Sequence, residues 1–70
     1  MSEIERWMSF TNRMGSRVVI DLMSVNAVEA IGSDAVRVMV GGKPLELRDT
    51  TIDDVLQPAM RVKRHFQSGQ

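Results

Sequence analysis

Seventy residues make one small domain, 1–70, and a chain of that length buries only about 60% of its unfolded surface, so its stability is marginal without a staple. No cysteine and a single histidine exclude disulfides and the ligand sets of structural metal centres, and suit a reducing compartment. Nine basic and nine acidic residues cancel, which removes the broad positive field that dominates nucleic-acid affinity, while no apolar run approaches the ~20 residues needed to span a bilayer.

The remaining staple is self-association. Six methionines and 43% apolar content support it, because flexible thioethers suit adaptable interfaces as well as they fill core gaps. No signal-peptide pattern is present, so the expected location is the cytoplasm.

The N-terminal residues admit two readings. As a helix, Ser2 and Glu5 form a capping box, and Ile4, Trp7, Met8, Phe10 and Met14 share one arc before Gly15. As a strand, Trp7–Thr11 turns through Asn12–Gly15 into Arg17–Leu22. Residues 1–6 are then either flexible or helical. The run Arg17–Leu22, RVVIDL, is β-branched and compact, which predicts a buried strand.

Val25–Ile31 has mixed parity, since Val25 and Val28 cannot share one face of a regular strand. A half-turn followed by a strand fits it. Gly32-Ser33-Asp34 is a turn cluster.

Ala35–Arg48 reads as a β-hairpin of defined register. Gly41-Gly42 supplies the two-residue turn with the positive φ that only glycine reaches freely. It pairs Val40 with Lys43, Val38 with Leu45 and Val36 with Leu47, and places Arg37 opposite Glu46 on the other face. Pro44 turns its missing N–H away from that partner, which marks the start of the last strand as an outer edge.

After Arg48 the period lengthens. Thr50 or Thr51 caps a helix whose first turn holds Asp53 and Asp54. Ile52, Val55, Leu56, Ala59 and Met60 form its apolar stripe, continued by Val62, Lys63 and Phe66. Pro58 predicts a kink or a second helical piece. Residues 67–70 are expected to fray.

Several residues invite a chemical reading. Asp53 and Asp54 point about 100° apart on a helix and cannot converge on a metal or a proton. Asp21 and Asp34 stand where turns are expected, and no nucleophile elbow, phosphate loop or metal spacing occurs. No catalytic residue, metal ligand or cofactor is expected, and the chain does not read as an enzyme. The segment Ser16–Met60 carries four basic and seven acidic residues, whereas Arg61, Lys63, Arg64 and His65 cluster beyond it. That cluster either compensates the helix dipole or binds an anionic partner, with Arg17 as a further candidate cation. Trp7 is the other candidate, either a core residue or an interface anchor.

From Phe10 to Leu56 the order of features resembles the small β-rich proteins of the flagellar FlbD type. The matching residues are Thr11, Gly15, Val18–Asp21, Val25, Val28-Glu29-Ala30, Asp34 with Val36, Gly41-Gly42-Lys43, Leu45, Leu47 and Ile52-Asp53-Asp54-Val55. The strand-rich part of the LytTR domain shares that pattern. This resemblance implies a strand at Trp7–Thr11 and a non-enzymatic regulatory module. The run Thr11-Asn12-Arg13-Met14-Gly15, followed by Val36-Arg37-Val38, is similar to the CsrA-type RNA-binding regulators. Asn12 and Asp49 stand where that family carries arginines, so RNA binding by that mode is not expected.

The expected fold is α+β: an antiparallel sheet of four to five strands with a C-terminal, proline-kinked helix packed on one face. The expected protein is a symmetric homo-oligomer, a dimer before other states, paired through its first or last strand or by helix exchange. Its expected role is that of a small regulator or inhibitor, bacterial or phage in origin, that binds a larger bacterial protein. The alternative is a protein that sequesters a small phosphorylated signalling molecule at a subunit interface. A nucleic-acid regulator comes third.

Overall fold

A computed structural model describes residues 4–67. Five strands come first: β1 (Trp7–Thr11), β2 (Arg17–Asp21), β3 (Val25–Ala30), β4 (Ala35–Val40) and β5 (Lys43–Arg48). A single turn of 3₁₀ helix, Leu22–Ser24, joins β2 to β3, and the C-terminal helix α1 spans Ile52–Gln67. The class is α+β. The strands form two antiparallel sheets, β1-β2 and β3-β4-β5, where one sheet of four to five was expected. A lone bridge between Asn12 and Leu47 connects them.

The β4–β5 register is the one read from the sequence, with Val36 on Leu47, Arg37 on Glu46, Val38 on Leu45 and Val40 on Lys43. Gly41 and Gly42 have φ of 59° and 85°, the double left-handed conformation of the tight hairpin turn. Both turn N–H groups are anchored to the neighbouring strand's approach: Gly41 donates to the Ser24 carbonyl at 2.8 Å, and Gly42 to Asn26 Oδ1 at 3.0 Å.

The mixed parity of Val25–Ile31 is explained by a bulge. Val25 pairs with Val40 and Ala27 with Met39, so Asn26 is the extra residue. One added residue shifts the phase, and Val25 and Val28 both turn inward. On the outward face a charge row crosses the sheet. Arg37 bonds Glu29 at 3.1 Å and Glu46 at 3.0 Å, and Glu46 also accepts from Arg13 at 3.0 Å.

The N-terminal segment resolves as the strand alternative. Phe10, Val18 and Ile20 alternate toward the core, Met8 shares their face but stays exposed at its end, and Trp7, Ser9, Val19 and Arg17 point outward. Asn12 makes the turn, its Oδ1 accepting from Met14 N–H at 3.0 Å and Ser16 N–H at 2.9 Å. Ser2, half of the alternative capping box, lies outside the described residues.

The helix starts at a reciprocal cap. Asp54 N–H donates to Thr51 Oγ1 at 3.3 Å, and Thr51 N–H donates to Asp54 Oδ2 at 2.9 Å. Asp49, at φ 53°, provides the reversal between β5 and this cap, a conformation that a short polar side chain tolerates. The helix is continuous across Pro58, so the two-piece reading is corrected. Burial of Val55, Ala59 and Val62 on one stripe outweighs the one bond that Pro58 cannot donate to the Asp54 carbonyl. Gln67 is the last helical residue, and the rest of the expected frayed tail, 68–70, lies outside the described residues. These helix positions join Ile20, Leu22, Val25, Val36, Val38 and Leu47 in one core. No helix is long and apolar enough to cross a membrane.

Candidate interaction groove

An open groove of about 270 Å³ runs between the N-terminal segment and α1. Ile4, Glu5, Trp7 and Met8 form one wall and Pro58, Arg61 and Val62 the other, with Leu22 at the base.

The first wall is held by a clamp. Arg6 Nε and Nη2 donate to the two oxygens of Asp21 at 2.7 and 2.8 Å, a bidentate pair. Leu22 N–H donates to the Arg6 carbonyl at 2.9 Å, so side chain and backbone fasten the same residue. Asp21 also caps the 3₁₀ turn, accepting from Met23 N–H at 3.1 Å and Ser24 Oγ at 3.2 Å. The Arg6 guanidinium, with those local donors, holds the Asp21 carboxyl down at about 2, below its ordinary value. Arg6 also lies 5.8 Å from the centre of the Trp7 ring.

The second wall follows from helix spacing. Pro58, Arg61 and Val62 fall on neighbouring positions of one helix side. Arg61 is exposed and borders the groove with its charge, while the Pro58 ring supplies a rigid apolar surface.

Among the residues singled out in the sequence, the structure brings Trp7 and Arg61 together. Trp7 is 55% exposed, which settles it as a surface residue. Lys63 is half-buried on a different side of α1, about 200° from Arg61 at helical spacing. Arg64 and His65 occupy the exposed last turn, where His65 packs edge-on against Phe66 at 5.0 Å. Arg17 starts β2, opposite Thr11. None of these four lines the groove.

The sequence alone does not mark Met8, Glu5 or Pro58 as site residues. Met8 adjoins Trp7 in a short apolar run, which is a weak signal. Pro58 carries the signal of an interior helix proline, which speaks to the backbone and not to a surface. Along α1, Leu56, Met60 and Phe66 remain 36%, 44% and 44% exposed, so part of the expected apolar stripe lies outside the core. No group of histidine, cysteine and acidic side chains suited to a metal occurs among the described residues. Comparison with protein-family models, curated proteins and solved structures gives no match.

Proposed function

We infer that this chain is a non-enzymatic interaction module, a small regulator or inhibitor that binds a larger bacterial protein through the groove between β1 and α1. The observation that carries this reading is Trp7. A tryptophan 55% exposed beside Met8 and an arginine is the residue set that anchors protein interfaces. A groove of about 270 Å³ open along its length takes one or two side chains of a partner. Its chemistry fits an apolar side chain followed by a carboxylate that meets Arg61. The resemblance to FlbD-type proteins implies a module of the same kind.

The alternative, a phosphorylated ligand, draws less support. Among the described residues Arg61 is the one cation bordering the groove, and Glu5 stands opposite it. An anion of two or more charges needs several converging donors, and Arg17, Lys63, Arg64 and His65 do not converge there.

The test is affinity capture from bacterial lysate with the wild-type chain, Trp7→Ala and Arg61→Glu, each checked for fold by circular dichroism. A protein retained by the wild type and lost by both variants supports the groove. Identical capture by all three overturns it.

A further inference from the structure

We propose that β2 is a self-complementary docking edge, on which a second copy of this chain adds its own β2 antiparallel about a two-fold axis through Val19. The ladder within the first hairpin fixes which backbone groups are open. Asn12 N–H donates to the Ser16 carbonyl and Leu22 N–H to the Arg6 carbonyl, at opposite ends of the pairing. By alternation Val18 and Ile20 also bond to β1, and Arg17, Val19 and Asp21 turn their backbone groups to the open side.

The sequence along that edge is palindromic in chemistry. With Val19 laid against the partner's Val19, Arg17 faces the partner's Asp21 and Val18 faces the partner's Ile20. Opposite charges meet at both ends and β-branched or aliphatic side chains meet between them. The register is also the one in which open backbone groups meet open backbone groups. On the outward face each end then reads Arg6, Asp21, the partner's Arg17. That alternation repeats the Glu29–Arg37–Glu46 row by which this protein already joins strands.

The other edges are obstructed. β3 carries the Asn26 bulge and packs against α1, and β5 carries Pro44 at one end and meets Asn12 at the other. A strand laid along β1 runs into β5 at Asn12. β2 has no proline and no bulge, and its outward Val19 is 58% exposed. The sequence pointed to the first or last strand as the pairing edge; the geometry points to the second.

Sedimentation velocity over a dilution series of the intact chain tests this. The wild type is expected to dimerise reversibly. Val19→Pro removes an N–H that β1 does not use and should leave a folded monomer. Arg17→Asp, at an exposed site away from the core, sets like charges at both ends and should raise the dimer dissociation constant about tenfold or more.

Register is read by cysteine pairing, in a chain that has no cysteine of its own. At Val19→Cys the two Cα atoms stand about 5.5 Å apart, within disulfide reach. At Ser16→Cys they stand about 20 Å apart. Mild oxidation should cross-link the first variant and spare the second. A wild type that stays monomeric at every concentration overturns the proposal. So does a dimer that both Val19→Pro and Arg17→Asp leave intact, or equal cross-linking of the two cysteine variants.

Discussion

In the β3-β4-β5 sheet, turn, bulge, charge row and core face all fix the same register, and both edges are obstructed. The β1–β2 hairpin has its own turn and core face but no bulge and no cross-strand charge row, and its attachment to the sheet is slighter. One backbone bridge joins it to β5, a side-chain pair joins it through Arg13 and Glu46, and its far edge and Trp7 are open. The contrast teaches where a small chain places its constraints. The sheet is over-determined and offers partners little, whereas the hairpin is tied by Ile20 in the shared core and a few polar contacts and carries the surface left for recognition.

Breaking the junction between the two regions has the largest expected effect. Leu47 is fully buried in β5 at the residue that bridges Asn12, so Leu47→Ala opens a cavity where sheet and hairpin meet. A cost of about 2–5 kcal/mol is expected, enough to unfold much of the population of so small a domain, as a urea titration will read.

Asp21→Ala acts on the hairpin side alone. It removes the cap of the 3₁₀ turn and frees Arg6, at an expected cost of about 1–2 kcal/mol. Trp7 emission should shift in the folded variant, because its Arg6 neighbour is no longer held.

Acid sharpens the same difference. The Asp21 carboxyl titrates at about 2 in the folded chain, against ~3.9 when unfolded, so the unfolded state binds more protons between those values. Its contribution is complete above about pH 5 and disappears as pH falls through about 2. Arg13 and then Arg37 hold Glu46 below the usual carboxylate range, which acts in the same direction. Urea midpoints measured from pH 7 to pH 2 should fall in this window, and less steeply for Asp21→Asn.

The two turns form a matched pair. Gly15 and Gly42 sit at φ 88° and 85°, and alanine at either should cost about 1 kcal/mol from left-handed strain. A Cβ at Gly42 meets open space, and one at Gly15 meets only ordinary contact with Arg48, so the two costs should agree. The smallest effect is expected for Glu46→Gln on the exposed charge row. Its loss of stability should be less than that of either glycine variant and should fade at high salt.

The β4–β5 hairpin and the start of α1 were legible because local signals agreed. The glycine pair and the Arg37–Glu46 match each selected one register, and threonine before two aspartates marked the helix cap. The Trp7–Thr11 strand was ambiguous because apolar residues at 7, 8, 10 and 14 satisfy both a helical arc and a hairpin arm. Only the tertiary position of Ile20 and Leu47 decides between them. The bulge hid in the parity of Val25 and Val28, which records a phase change without saying which residue is extra. The groove was the least legible, since it is assembled from Trp7 and Arg61, which are distant in sequence. The Arg6–Asp21 clamp that builds one wall also joins separated residues. Trp7 and Arg61 were singled out one by one, but nothing local announced that they meet.

The bridge between Asn12 and Leu47 also sets an order of events during synthesis. Ribosomes add about 5–20 residues per second, so the roughly 35 residues separating these partners take about 2–7 s to appear. Throughout that interval the first hairpin has been made without β5 to close on and without α1 to cover Leu22. The ribosomal exit tunnel holds a stretch of chain comparable to this separation, so the hairpin emerges ahead of β5 and α1 and shows its Trp7 and Val19 surface to chaperones and other nascent copies first. Slow codons late in the message, where α1 is encoded, lengthen that exposure without changing a residue.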